Sequence, residues 1–260
     1  MTVLLTGSAG RVGTMLTERL PGYGWPLRGF DRVNGESITD PDALDAAMAG
    51  VRAVVHLAGQ PTEGVWERVR EGNIEGTFQV FEAARRAGVR RVVYASSNHA
   101  VGFTPIAGDT DTVLDTGLPA DTEPRPDTLY GVSKVFGEAL GRYYVERYGF
   151  TVIGLRIGTC DWTPPDHRAL ATWLSPDDTA RLVDAALRTD VRWKLVWGVS
   201  ANTRRRWSLQ AGYDIGYFPG DDAEAFAAQL SASPAQPSEA FVGGGFTTAG
   251  FGLDEVRARD

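Results

Sequence analysis

Short apolar blocks alternate with stretches of helical spacing along most of the chain. Residues 2–6 (Thr-Val-Leu-Leu-Thr) form a compact apolar run and predict a buried strand. Glycines follow at once. Helical spacing then runs through Met15, Leu16 and Leu20 until Pro21-Gly22 stops it. Leu27 to Phe30 predicts a second strand, closed by Asp31. A helix is expected over Asp42 to Met48 and a buried strand over Ala53 to Leu57. Residues 67–87 keep helical spacing at Val69, Ile74, Phe78, Val80, Phe81 and Ala84, with Gly88 as the stop. Val92 to Ala95 is the next strand. A helix is expected over Tyr130 to Tyr148, a strand over Val152 to Arg156, and a helix over Asp177 to Leu187 with Ser175 as its cap. A late strand is expected over Lys194 to Val199.

This alternation implies an α/β fold with a parallel sheet covered on both faces. Right-handed crossovers make a doubly wound, Rossmann-type sheet the simplest topology. One domain is expected. Residues 1–156 form its cofactor-binding part, and 157–260 supply a small C-terminal substrate lobe and the late strand. Residues 102–127 are rich in Gly, Pro, Asp and Thr and lack periodicity, which predicts a long loop of the kind that carries function. Beyond residue 200 the periodicity weakens, and Gly243-Gly-Gly245 with Gly250 predict an irregular tail.

Composition narrows the setting. A chain of 260 residues buries roughly 70–75% of its unfolded surface and needs no covalent staple. Cys160 is the only cysteine, so an intramolecular disulfide is excluded. The start lacks a basic leader, and no apolar run approaches the ~18 residues of a membrane span. A cytoplasmic protein is expected, with no membrane partner. The net charge is −7. The one basic triplet, Arg204-Arg205-Arg206, reads as a solvated helix end rather than a nucleic-acid patch. A homo-oligomer is compatible with these features.

Two constellations carry chemistry. Gly7-Ser-Ala-Gly10-Arg-Val-Gly13 lies between the first strand and the first helix. Glycines there allow a tight turn and a close approach to a pyrophosphate, which the helix N-terminus attracts. Asp31, after the second strand, can accept hydrogen bonds from both adenosine ribose hydroxyls and repel a 2′-phosphate, which favours NAD over NADP. Arg11 and Arg32 pull the other way. Further on, Tyr130-Gly-Val-Ser-Lys134 sets a tyrosine and a lysine on one helix face. A lysine beneath the phenol is expected to lower its pKa from about 10 and make it a base for an alcohol proton.

With His56-Leu-Ala-Gly59, Asn73, Gly76 and Ala95-Ser-Ser97 in order between these motifs, the chain resembles the extended short-chain dehydrogenase/reductases. Four further segments resemble uronate dehydrogenases: Ser96-Ser-Asn-His-Ala-Val-Gly102, Arg156-Ile-Gly-Thr-Cys160, Leu170-Ala-Thr-Trp-Leu-Ser-Pro-Asp-Asp178 and Val196-Trp-Gly-Val-Ser-Ala-Asn202. The resemblance implies an oxidoreductase that passes a hydride from the anomeric carbon of glucuronate or galacturonate to NAD, giving an aldarolactone. It implies Tyr130 as the acid/base, Ser97 on the reacting oxygen and Lys134 on the nicotinamide ribose. Around NAD it implies Gly7, Gly10, Arg11, Val12, Gly13, Asp31, Ser37, Ile38, Leu57, Ala58, Gly59, Asn73, Ile157 and Cys160. Toward the sugar acid it implies Ser97, Asn98, His99, Tyr130, Thr159 and Arg168. Arg168 also suits a carboxylate by its own chemistry, as a planar cationic fork. No metal is implied. His56 and Cys160 are expected to pack rather than react.

Three features depart from the resemblance: the length of the 103–127 loop, Pro61 where a sugar-contacting serine is expected, and Ser37 where an acid is usual. The rivals are a nucleotide-sugar epimerase or dehydratase of the same superfamily, and an NAD(P)-sensing module without turnover.

Overall fold

The computed structural model describes residues 2–106, 117–230 and 240–252. Its centre is a six-stranded, all-parallel sheet in the order β2-β1-β3-β4-β5-β8. The chain runs β1 (Thr2–Thr6), α1 (Arg11–Arg19), β2 (Leu27–Phe30), α2 (Pro41–Met48), β3 (Val51–His56), α3 (Trp66–Val69), α4 (Gly76–Arg86), β4 (Arg91–Ser97), α5 (Leu129–Tyr148) and β5 (Thr151–Ile157). There follow β6 (Thr159–Cys160), α6 (Ala169–Thr172), β7 (Trp173–Leu174), α7 (Pro176–Arg188), β8 (Trp193–Gly198) and α8 (Gln210–Tyr213). The doubly wound expectation holds.

Strand pleating decides which residue goes to which face. Val3 and Leu5 join Val55, Ile153 and Leu155 in one apolar layer under α1 and α7. Leu4 joins Val54, Val92 and Val152 in the opposite layer under α2, α4 and α5. Caps follow the local chemistry: Ser175 Oγ accepts from the Asp178 amide, as expected, and Thr128 Oγ1 does the same for Gly131 at the start of α5.

The register places the strand ends in one row. Thr6 pairs with Phe30 and His56, and Ser97 pairs with Ile157, which pairs with Gly198. Gly7, Asp31, Leu57, Asn98 and Gly158 therefore emerge along a single edge. The chain reverses direction across the sheet between β1 and β3, the position where doubly wound sheets open a crevice at their carboxyl ends.

The structure corrects several expectations. Residues 67–87 are helical as expected but not α throughout, because a π turn at Arg70–Glu75 lies between α3 and α4 within the same helical run. Gly72 and Gly76 bring this turn close to its neighbours: a β-carbon at Gly72 would lie 3.2 Å from the Gln60 amide, and one at Gly76 would press on Ile38. The arginine triplet lies in an exposed turn rather than at a helix end, with Arg204 paired to Glu224. The expected irregular tail contains a 3-10 turn at Gly244–Thr247. The 102–127 loop lies partly outside the described residues. Its described ends are pinned by Pro105 bridging Phe241 and Leu118 bridging Trp207. Trp197 and Trp207 stack there at 4.3 Å in a third apolar cluster with Val101 and Val242. Among the described residues, no helix is long and apolar enough to cross a membrane.

Candidate active site

A cavity of about 1080 Å³ opens along the carboxyl edge of the sheet. One half of it is built by the glycine loop. Gly7 has φ +71°, and a β-carbon there would lie 2.8 Å from the Ala58 amide, so the first position after β1 tolerates no side chain. Gly10 caps α1 without a side-chain hydrogen bond, which leaves the helix N-terminus to the cavity. At the end of β2, Asp31 is held by the amides of Ala9 (2.9 Å) and Val33 (3.2 Å). Arg11 lines the same half, with its charge met by Asp161 at 2.8 Å. Val12, Gly13, Ser37, Ile38, Leu57, Ala58 and Gly59 complete the wall, together with Pro61.

Asn73 is different. It does not line the cavity but stands behind it. Its side chain accepts from the Gln60 amide (2.7 Å) and donates to the Gln60 carbonyl and to Ser133 Oγ. The π turn thereby ties the loop after β3 to the first turn of α5.

The other half of the cavity contains Ser97, Tyr130 and Lys134. Ser97 ends β4, where its Oγ accepts from the His99 amide at 3.2 Å, and it lines the cavity with Tyr130. Lys134 donates to the Ala95 carbonyl at 2.9 Å and lies 5.4 Å from the centre of the Tyr130 ring. Glu63, buried in the loop before α3, accepts from the Tyr130 amide at 2.8 Å and anchors the start of α5. The electrostatics correct the sequence reading: burial pushes the Tyr130 hydroxyl up to about 12, against the Ser97 hydrogen bond that pulls it down. Lys134 does not overcome this, because its own burial holds it down to about 8 while Glu138 acts in the opposite sense.

Sequence reasoning missed Glu138, which lies one turn below Lys134. Buried Arg156 grips it at 2.9 and 2.8 Å, and Ser96 donates to it. The i, i+4 spacing from Lys134 to Glu138 was the available signal.

The expected sugar-side residues gather at the same end. Asn98, His99 and Thr159 line the cavity, and so do Ile157 and Cys160, which were expected on the NAD side. Asn98 donates to the Val242 carbonyl at 3.2 Å. Arg168 is half-buried and does not reach the cavity wall. Its Nη2 donates to that same carbonyl at 2.7 Å, and its Nη1 lies 3.5 Å from Thr159 Oγ1. Phe246, in the C-terminal segment, stacks on His99 at 4.0 Å and lines the cavity, a contact that no sequence periodicity announces. Cys160 packs against Met15 Sδ and Thr179, and burial pushes its thiol up to about 11, in keeping with a packing role. His56 is enclosed between Thr6 and Thr77, and burial lowers it to about 3.

A capless helix N-terminus, a first position after β1 that excludes a side chain and a carboxylate at the end of β2 together fit a dinucleotide with free ribose hydroxyls.

The model of the NAD dependent epimerase/dehydratase family matches residues 3–160. The chain is 37% identical over 265 residues to a uronate dehydrogenase of Pseudomonas putida, covering 95% of this chain and 96% of that one. It superposes with a TM-score of 0.85 on a mutant uronate dehydrogenase of Agrobacterium tumefaciens complexed with NAD, 36% identical, covering 95% and 96% of the two chains. It is also 37% identical to an NAD-dependent glucose-6-phosphate dehydrogenase of Haloferax volcanii, over 86% of this chain and 95% of that protein.

Proposed function

This chain belongs to the NAD dependent epimerase/dehydratase family, and from that membership we propose that it is an NAD-dependent uronate dehydrogenase. It oxidises the anomeric carbon of glucuronate or galacturonate to an aldarolactone. The observation that carries the reading is the convergence of Ser97, Tyr130 and Lys134 on one cavity with the glycine loop and Asp31. Curated uronate dehydrogenases match almost the whole chain. A cytoplasmic location belongs to the same proposal and rests on a single cysteine kept as a buried thiol.

NAD is held by the loop from Gly7 to Gly13, by Asp31 and by the wall from Leu57 to Gly59, and when bound it supplies the hydride acceptor. The protein's own part is proton handling and orientation. Tyr130 Oη takes the proton of the anomeric hydroxyl. Ser97 Oγ hydrogen-bonds the same oxygen and steadies the charge that develops on it. Lys134, held on the Ala95 carbonyl, places a positive charge beside the phenol and favours its ionised form. Arg168 lies behind Thr159 rather than on the cavity wall, with Nη2 on the Val242 carbonyl, so it reads the substrate carboxylate past Thr159 through Nη1.

The test is Arg168→Ala. A charge-assisted arginine–carboxylate hydrogen bond contributes on the order of 1.5–3 kcal/mol, so uronate kcat/KM should fall roughly 10–150-fold. Residual activity on neutral aldoses should change little. Equal losses on both substrate classes would reduce Arg168 to a support of the fold. The Haloferax relative favours a second reading, oxidation of a sugar phosphate, because a guanidinium also accommodates phosphate.

A further inference from the structure

His99 in the cavity wall is paired from behind with a carboxylate that the proton transfer at Tyr130 does not use. Asp127 lies just before α5 with its side chain fully buried, and its Oδ2 is 2.8 Å from His99 Nδ1. Its Oδ1 accepts from the Thr128 hydroxyl at 3.0 Å. Glycines make the room for this carboxylate. A β-carbon at Gly102 or Gly243 would collide with Oδ2, and one at Gly131 would lie 3.2 Å from Oδ1. The His99 ring is held just as firmly. It stacks on Phe246 at 4.0 Å and stands edge-on to Tyr130 at 5.9 Å, with the ring against the cavity.

An ionised carboxylate offers acceptors only. A neutral imidazole bonded to it carries its proton on Nδ1, and Nε2 is then an acceptor. We infer that Asp127 is a positioning residue that locks His99 in the Nδ1–H tautomer, so that the site selects a sugar hydroxyl able to donate to Nε2. The same lone pair disfavours a carboxylate at this end of the cavity. His99 thus orients the sugar acid with its carboxylate toward Thr159 and Arg168 and a hydroxyl toward Nε2. The substrate half of this inference rests on the uronate reading. The tautomer half rests on the geometry alone.

The first experiment uses the unmutated protein. Nitrogen-15 NMR of histidine-labelled protein at pH 8, assigned with His99→Asn, should show a protonated Nδ1 and an unprotonated Nε2. An imidazolium or an Nε2–H ring would overturn the lock, whatever the substrate proves to be. The second experiment is Asp127→Asn, whose amide can face the ring with either donor or acceptor. The KM for glucuronate should rise roughly 10–100-fold, as expected when a buried ground-state hydrogen bond is lost, while kcat should not fall in step, because removing the Asp127 charge acts on Tyr130 in the favourable direction. Unchanged NAD affinity would show that the variant is folded, and if it does not fold, the NMR result decides. One of the 2-, 3- or 4-deoxy analogues of glucuronate, poorly used by the unmutated protein, should lose little further in the variant. Equal proportional losses on glucuronate and all three analogues would overturn hydroxyl selection. Absence of NADH formation from any uronate by the unmutated protein would instead sink the substrate reading and leave the tautomer result standing.

Discussion

Tyr130 is where burial and chemistry oppose each other. To accept the anomeric proton it must first be a phenolate, yet burial pushes it up to about 12, and the nearby Asp127 charge pushes the same way. Ser97 works against this, and a Lys134 charge 5.4 Å from the ring centre favours the phenolate by Coulomb attraction. Below its pKa the phenolate fraction grows about tenfold per pH unit. Lys134 keeps its charge only up to about pH 8, so oxidative kcat/KM should climb with pH between about 6 and 8, and a flat or falling profile over that range would contradict Tyr130 as the base. Tyr130→Phe should cost about 10²–10⁴-fold in turnover with NAD affinity nearly intact, measured by steady-state kinetics and by cofactor titration. The spacing of Tyr130 and Lys134 was legible in the sequence. The direction of the tyrosine's shift was not, because the burial comes from chain far away in sequence, including Ser97 at the end of β4 and Glu63 in the loop before α3.

At the scale of elements, the C-terminal segment 240–252 does what the regular helices do elsewhere in the site. The Val242 carbonyl accepts from both Asn98 and Arg168, and Phe246 stacks on His99. Three residues proposed to face the sugar are thus held by one short segment. Gly244 is the hinge of this arrangement. Its φ is +59°, and a β-carbon there would collide with Arg168 Nε. Gly244→Ala should displace the guanidinium and lower uronate kcat/KM several-fold or more, with NAD binding unchanged. It should also cost about 1–2 kcal/mol in stability for the left-handed backbone. Unaltered uronate kinetics in a folded variant would detach this segment from substrate binding. Sequence reading took the segment for an irregular tail, because its order comes from long-range contacts and not from periodicity. The π turn was hidden for a related reason: Gly72 and Gly76 sit within an otherwise helical pattern, and only their approach to Gln60 and Ile38 shows why the helix widens there.

At the scale of the molecule, the parallel register brings the ends of β1, β2, β3, β4 and β5 into one row, so residues far apart in sequence meet at one cavity. That much followed from apolar blocks and glycines alone, since alternation of strands and helices leaves few topologies. Which anion the far end of the cavity prefers did not follow, because a guanidinium serves a carboxylate or a phosphate, and relatives of both kinds exist at 37% identity. The central claim is that the substrate is a uronate, and the most direct test is NADH formation by the unmutated protein with NAD and glucuronate, galacturonate, glucose, galactose or glucose 6-phosphate, compared as kcat/KM. The account predicts that one or both uronates exceed the neutral sugars by roughly 10-fold or more, the worth of the carboxylate contact, and exceed glucose 6-phosphate as well. A higher kcat/KM for glucose or for glucose 6-phosphate than for either uronate would contradict it.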